Sequence, residues 1–176
     1  MNLSRALGPS VASVVTPVVI ALLLIAVAMT GAPAHAQHMP TFSARELLDA
    51  HNSARREVGS PPLVWSTVLA NHAKSWAEQL IAKHDFAHQP DNPHGENLLM
   101  ISGGMLAPAE AVRAWIAEMP DYDPSSNTCT GVCVHYTQVV WRMTHAVGCG
   151  MAFDDNRQVW VCEYDPPGNV VGVRPY

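Results

Sequence analysis

Charged residues are scarce in this sequence, and the basic ones are not gathered in any one segment. Asp, Glu, Lys and Arg make up 14% of the 176 residues, and the 15 acidic side chains outnumber the 10 basic ones. A basic patch is the electrostatic footprint of a nucleic-acid-binding protein, so we expect no nucleic-acid partner. Low charge together with 48% apolar residues predicts a compact globular protein rather than a disordered one.

The sequence also lacks an apolar run long enough to cross a membrane. The run from Val18 to Met29 is about 12 residues long, whereas a spanning helix needs about 20. Arg5 precedes this run, and Ala34-His35-Ala36 follows it with the small-x-small pattern of a cleavage site. These features predict a secretory signal peptide over residues 1–36, with an uncleaved anchor as the alternative.

Cleavage would leave a single domain over residues 37–176. At about 140 residues, this domain is large enough to bury a hydrophobic core of its own. We expect it to be secreted and extracellular, or periplasmic in a Gram-negative host. No stable membrane span is expected once the signal peptide has been removed.

Cysteine is rare, and all of it lies in the C-terminal third of the chain: Cys129, Cys133, Cys149 and Cys162. Export allows disulfides to persist.

The segments VGCGMAF and QVWVCEY are rich in β-branched and aromatic residues and flank a turn, so they predict a β-hairpin. With Asp155 and Asn156 as the turn residues, Cys149 lies opposite Cys162 at a non-hydrogen-bonded position, close enough for a disulfide. The other two cysteines are then left to close a small loop. The alternative, a four-cysteine zinc site, lacks its usual C-x-x-C pairs.

Two segments upstream of the hairpin carry clear helix signals. In FSARELLDAHNSARREVG, apolar side chains recur on one face, and Ser43 with Glu46 makes a capping box. A second helix is predicted from about Thr67 to Lys83, with Ser66 as its N-cap. Both helices precede the cysteine-rich region in the chain.

A third helix is predicted to begin at Pro108 and to stop before Pro120. Its expected buried face comprises Val112, Trp115, Ile116 and Met119. Between the second and third helices, the end of GENLLMI has the composition of a short strand. Helices early in the chain and strands late predict an α+β domain in which helices cover an antiparallel sheet.

Four motifs, in order along the chain, resemble those of the CAP superfamily. They are AHNSARREVGSPPLVW (50–65), HGENL (94–98), HYTQVVWR (135–142) and CEYDPPGNVVGVRPY (162–176). The superfamily contains cysteine-rich secretory proteins, antigen 5 proteins and pathogenesis-related proteins, and this chain is most similar to the plant and bacterial members. The resemblance implies a secreted three-layer α-β-α sandwich with a small central antiparallel sheet.

The resemblance also implies a central cleft lined by two His and two Glu. It implies divalent metal binding in some members and lipid or sterol binding in others, and we expect a divalent metal such as zinc in this cleft. Carried over motif by motif, these residues are His88 before the GEN stretch, Glu96 within it, Glu118 after the helix Trp, and His135 of HYTQ. Tyr136 and Gln138 are expected to hydrogen bond around the cleft. Without the resemblance, the residues alone favour a packed core histidine at 135 and a solvated acid at 118.

The sequence departs from the related plant proteins at several positions. Those proteins carry six cysteines, and His84 stands where one of them is expected, while its partner in the strand region is also missing. Glu163 follows Cys162 where the family commonly has Asn. The H-D-x-x-H stretch that begins at His84 lacks the Glu of a zincin helix, and we interpret it as an accident of the lost cysteine.

The expected cleft offers metal ligands and acid/base groups, but the sequence contains no evident nucleophile. The cysteines are predicted to be paired, and no G-x-S-x-G or S-x-x-K stretch occurs. Two hypotheses follow. The first is a secreted binding module for a lipid, a sterol or a cell-surface partner, acting in defence or host interaction. The second is a zinc-dependent hydrolase of peptide or cell-wall material that uses Glu96 and Glu118.

Overall fold

A computed structural model of the chain describes residues 43–176. The predicted signal peptide therefore lies outside the described residues. The described helices are α1 (Ala44–Glu57), α2 (Thr67–Lys83), α3 (Pro108–Ile116) and the short α4 (Val134–Val139). The strands are β1 (Val64–Trp65), β2 (Gly95–Ser102), β3 (Tyr122–Asp123), β4 (Thr128–Cys129), β5 (Ala146–Phe153) and β6 (Arg157–Asp165).

The first two helices begin where their capping residues predict. The Ser43 hydroxyl accepts a hydrogen bond from the backbone N–H of Glu46, at 3.3 Å, and Ser66 caps α2 in the same way. Such side chains satisfy N–H groups that have no partner within the helix. Local sequence therefore determines where α1 and α2 start.

The third helix begins at Pro108 as predicted but ends earlier than expected. It stops at Ile116, and a 3₁₀ turn (Met119–Asp121) follows. If the helix continued, the ring of Pro120 would clash with the carbonyl of Ile116. Met119, which was expected on the buried face, is consequently 45% exposed.

The central sheet has the strand order β1-β5-β6-β2. β6 pairs antiparallel with β5 and with β2, whereas β1 pairs parallel with β5. The sheet is therefore mixed, and the expectation of a wholly antiparallel sheet is corrected at this edge. β1 is a two-residue piece of the connection between α1 and α2, too short to show an alternating pattern in the sequence. β2 spans all of GENLLMIS rather than a short stretch at its end.

Helices cover both faces of the sheet, as the three-layer expectation requires. α2 packs on one face against Leu98, Ala152, Val159 and Val161. A Cβ added at Gly148 or Gly150 would lie 2.2 Å from the α2 backbone, so these glycines let α2 lie directly on β5. The larger core, on the other face, contains residues of α1, α3 and α4, including Leu47, Trp115 and Val139.

Both disulfides expected from the sequence are present. Cys149 lies opposite Cys162 in the β5–β6 register, with 4.0 Å between the Cα atoms, and Cys129 is bonded to Cys133. The hairpin closes at Asp154 and Arg157, whose backbones hydrogen bond at 2.9 Å. Asp155 and Asn156 are therefore the turn residues, as predicted.

α4 is held at its C-terminal end by a buried arginine of α1. The Arg55 guanidinium is completely buried and donates to the backbone carbonyls of Val139, Trp141 and Thr144 at 2.8–3.0 Å. Burial lowers the pKa of Arg55 to about 10. A cation beside the last carbonyls of a helix compensates their partial negative charge. These bonds fix the position of the segment that carries His135.

Within residues 43–176, no helix is both long enough and apolar enough to span a membrane.

Candidate functional site

His135 and Glu118 form the first His–carboxylate pair of the site. Nδ1 of His135 lies 2.6 Å from Oε1 of Glu118. Oε2 of Glu118 accepts the backbone N–H of His135 at 3.0 Å and that of Tyr136 at 3.3 Å. The carboxylate, which follows α3, thus caps the start of α4 and orients the imidazole. Glu118 is therefore not the solvated acid that the residues alone favoured, and His135 is not the packed core histidine.

His88 and Glu96 form the second pair. Nδ1 of His88 lies 2.5 Å from Oε1 of Glu96, which also accepts the backbone N–H of Gln89 at 3.1 Å. The Glu96 side chain is only 5% exposed, whereas that of His88 is 66% exposed. A buried carboxylate therefore anchors an accessible imidazole.

The two pairs share one hydrogen-bonding arrangement. Each carboxylate accepts from Nδ1, which leaves the lone pair of the neutral ring on Nε2. Among the described residues, Nε2 has no hydrogen-bond partner in either His88 or His135. A carboxylate that holds Nδ1 while Nε2 faces outward is the arrangement that orients histidines for metal binding.

Both pairs lie at the Gly95 end of β2. A Cβ added at Gly95 would lie 2.3 Å from the side-chain oxygen of Gln138 in α4, so a larger residue before Glu96 would have to displace that side chain. Asn97, which follows Glu96, donates from its side-chain amide to the backbone carbonyl of His135 at 3.0 Å. The strand end therefore positions one pair directly and contacts the other through Asn97.

The four carried-over residues do not form a single tight cluster. Within the described part of the chain, one group of three His, Cys, Asp or Glu has its ligand atoms within 4.8 Å of one another: His51, Cys149 and Cys162. That group cannot serve as a metal site, because both cysteines are in the disulfide and both His51 nitrogens are hydrogen-bonded. The candidate site is therefore two separate His–Glu pairs.

Tyr136 and Gln138 hydrogen bond with residues near the C-terminus of the chain and with Thr144 rather than with the imidazoles. Both side chains are buried. The Gln138 side chain accepts the N–H of Gly168 at 2.9 Å and donates to the Thr144 hydroxyl at 3.3 Å. The Tyr136 hydroxyl contacts that of Tyr176, and burial raises the Tyr136 pKa well above its usual value.

A buried polar chain connects α1 to the site. Nδ1 of His51 lies 2.8 Å from the carbonyl of Leu47, and Nε2 lies 2.9 Å from the Tyr164 hydroxyl. The same hydroxyl accepts from Asn97, which contacts His135. Burial lowers the pKa of His51 to about 4 and raises that of Tyr164 well above its usual value.

A third His–carboxylate pair was not expected from the sequence. Nδ1 of His72 lies 2.6 and 2.7 Å from the two oxygens of Glu163, whose side chain is completely buried. Burial raises the pKa of Glu163, and the hydrogen bond from His72 acts against that increase. The signal in the sequence was Glu163 itself, a carboxylate where the resembling proteins commonly have Asn. Its partner could be identified only once the strand register was known.

The model of the cysteine-rich secretory protein (CAP) family matches residues 48–164. Pathogenesis-related protein 1B of Nicotiana tabacum is 44% identical to the chain over 145 residues, which cover 81% of this chain and 85% of the relative. Pathogenesis-related protein 1 of Arabidopsis thaliana is 40% identical over 159 residues, which cover 88% of this chain and 95% of the relative.

Solved structures agree on the fold. Venom allergen-like protein 4 of Schistosoma mansoni superposes with a TM-score of 0.59 at 30% identity, covering 75% of this chain and 92% of that protein. The crystal structure of NaASP2 with Zn²⁺ superposes with a TM-score of 0.61, covering 75% of this chain and 83% of that one. At 24% identity, the second likeness shows the fold alone.

Proposed function

The chain belongs to the CAP family of cysteine-rich secretory proteins, and on that premise we propose that it is a secreted binding module whose His–Glu pairs hold a divalent transition ion. The observation that carries the proposal is the free Nε2 of His88 and of His135, each on a ring whose Nδ1 is held by a glutamate. Two imidazole nitrogens, joined by one carboxylate oxygen, form a donor set that suits zinc. Bound zinc would supply positive charge and Lewis acidity to the cleft.

The glutamates have different parts in this proposal. Both oxygens of Glu118 are occupied by His135 and the start of α4, so Glu118 acts by orienting the imidazole. Glu96 uses Oε1 in the same way, but its buried Oε2 has no hydrogen-bond partner within the described residues. Glu96 is therefore the glutamate that can also contact a bound ion or ligand.

A cavity between α1 and α3 is the proposed place for an apolar ligand. Its volume is about 250 Å³, and it is lined by Ala50, Ser53, Ala54, Glu57, Arg113 and Ile116. Ligand pockets for drug-sized molecules occupy roughly 300–1,000 Å³, so this cavity suits an acyl chain better than a sterol. Arg113 at its edge could pair with a lipid carboxylate or phosphate.

The proposal includes export and a role in defence or host interaction. The relatives named above are pathogenesis-related proteins, and the sequence carries the features of a signal peptide over residues 1–36. We expect the mature protein to begin at Gln37. Mass spectrometry of the secreted protein tests this expectation, and a chain that retains residues 1–36 would contradict it.

Hydrolysis is the second candidate function, and the free Oε2 of Glu96 is the observation that favours it. A carboxylate oxygen without a partner can accept a proton from a water activated by a metal. A binding module needs no such step. Stabilisation of a transition state would further require donors directed at the developing charge.

One experiment separates the two functions. Protein isolated from a secreting host is examined by native mass spectrometry for bound metal and lipid, and the zinc-loaded protein is incubated with a peptide library and with peptidoglycan. Bound zinc or lipid without turnover supports the binding module. Zinc-dependent turnover that Glu96→Gln abolishes would establish hydrolysis instead. Glu110→Gln is the control, because Glu110 caps α3 away from both pairs.

A further inference from the structure

Three buried side-chain atoms that have no hydrogen-bond partner within residues 43–176 lie on one short segment, between α2 and the start of β2. They are Oε1 of Gln89, Nδ1 of His94 and Oε2 of Glu96. Buried polar atoms have hydrogen-bond partners in the great majority of cases. Three unpartnered buried atoms within the eight residues 89–96 therefore indicate atoms that are available to a ligand.

His72 of α2 borders this segment, and one of its ring nitrogens is held only by a long contact with the Gln89 amide. Its Nδ1 contacts both oxygens of Glu163, and its Nε2 lies 3.3 Å from the amide nitrogen of Gln89. A carboxylate can only accept and an amide nitrogen can only donate, so a neutral ring with its proton on Nδ1 satisfies both contacts. The lone pair on Nε2 then points toward the Gln89 side chain, which can rotate away.

His94 lies beside His72. The two ring centroids are 6.2 Å apart, and the rings meet at 79°. The nearest charged group to Nδ1 of His94 is Oδ1 of Asp165 at 3.8 Å, too far for a hydrogen bond. Two neighbouring imidazoles are a ligand pair for zinc when each can present a ring nitrogen. Nδ1 of His94 has no hydrogen-bond partner within the described residues, and Nε2 of His72 would exchange its long contact with the Gln89 amide for the metal.

The surrounding charge favours a cation. Glu96 lies opposite Glu163 in the β2–β6 register, so both carboxylates leave the sheet on the side that α2 covers. The Glu163 side chain is completely buried, and that of Glu96 is 5% exposed. A bound cation would compensate these two neighbouring negative charges.

We propose that His72 and His94 are the ligands of a second zinc site on the α2 face of the sheet, with Glu163 orienting His72 and Glu96 beside them. This site uses different histidines from the one proposed above, and the two sites share Glu96. No three of these four residues have ligand atoms that all lie within 4.8 Å of one another. Zinc would therefore have to draw the His94 ring toward His72.

Calorimetry with zinc chloride on untagged protein tests this site. The background is His88→Ala with His135→Ala, which removes the imidazoles of the site proposed above. In that background we expect one zinc per chain. Adding His94→Ala should weaken zinc binding at least tenfold, and adding Glu163→Gln should weaken it about 10–100-fold, the usual effect of losing the partner that orients a ligand.

Two further variants make the test decisive. His72→Asn keeps an N–H donor for Glu163 but has no ring nitrogen, so the protein should fold and lose the site. His145→Ala removes an exposed histidine whose side chain makes no hydrogen bond or ion pair within the described residues, and it should leave zinc affinity unchanged. The proposal is overturned if the background protein binds no zinc, or if His94→Ala and His72→Asn leave its affinity as it was. Equal zinc stoichiometry in the wild type and the background would instead count against the site at His88 and His135.

Discussion

His84 and Arg157 are 73 residues apart in sequence, and Nη2 of Arg157 lies 2.7 Å from Nδ1 of His84. His84 ends α2 in the left-handed region, with φ of 53°. It occupies the position where the resembling plant proteins carry a cysteine. Arg157 belongs to the β5–β6 hairpin, where it also forms an ion pair with Asp154. The end of α2 is therefore connected to the hairpin by a polar contact.

Replacing Arg157 should destabilise the protein measurably. Arg157→Ala removes the contacts to His84, to Asp154 and to the carbonyl of Ile81. The Arg157 side chain is only 16% exposed, so we expect a loss of about 1–2 kcal/mol in the free energy of unfolding, measured by urea denaturation. The matched control is Arg45→Ala, whose ion pair is exposed and should change stability by less than about 0.5 kcal/mol. Equal effects of the two substitutions would contradict the structural role of Arg157.

The hairpin disulfide should contribute more stability than the small-loop disulfide. Cys149 and Cys162 are fully buried and enclose a longer loop than Cys129 and Cys133, whose sequence separation is 4 rather than 13. Removing the hairpin bridge by a double Cys→Ala substitution should cost roughly 2–4 kcal/mol, and removing the other bridge should cost less. Denaturant unfolding of the two variants gives the comparison. Peptide mapping without reduction is the independent check, and a bond between Cys133 and Cys149 would contradict both pairings.

His51 should make the stability of the protein fall in mild acid. Burial lowers its pKa from 6.5 to about 4, so between these pH values the unfolded chain binds a proton that the folded protein does not. The free energy of unfolding should therefore decrease as the pH falls from 6.5, level off below about 4, and lose roughly 3 kcal/mol from this group in total. Thermal unfolding across this range in wild type and His51→Gln measures the effect. His145→Ala should keep the wild-type slope. If the stability of His51→Gln depends on pH as strongly as that of the wild type, His51 is not the group responsible.

Most of the fold could be predicted from local sequence signals. Ser43, Ser66 and Pro108 mark the starts of three helices, and the hairpin turn determines the register that brings Cys149 to Cys162. α4 was not predicted, because its six residues are too few to show a periodic pattern. It depends on contacts that are distant in sequence, such as those of Arg55 and Glu118.

The site could be predicted only in part, for a related reason. The motifs predict His88, Glu96, Glu118 and His135 as candidate residues, but the residues alone could not pair them. His135 and Glu118 meet only because α4 packs against α3. His72 and Glu163 are 91 residues apart, and they meet because β6 lies under α2. No local pattern carries that information. Asn97 was likewise missed, since its contact to the carbonyl of His135 depends on the tertiary fold.

The orienting role of Glu118 gives a prediction that a purely structural role does not. Glu118→Gln keeps a side chain that can accept the N–H groups of His135 and Tyr136, but it removes the negative charge beside Nδ1. Zinc affinity should fall about 10–100-fold while the melting temperature changes little, because a ligand histidine becomes less basic without its carboxylate. Calorimetry and thermal unfolding on the same samples measure both quantities. Loss of stability without loss of affinity would show that Glu118 serves only to cap α4.

The measurement that tests the central claim most directly is zinc calorimetry on His88→Ala and on His135→Ala. The reference protein carries His94→Ala, so that the second proposed site does not contribute, and His145→Ala in the same background is the control for the loss of a surface imidazole. Each of the two substitutions should weaken zinc binding at least tenfold, because each removes one of the two free Nε2 ligands. Acidification should weaken the binding that remains, since protons compete with the metal for imidazole nitrogen. Equal zinc affinity in the reference protein and in both substituted proteins would contradict the account.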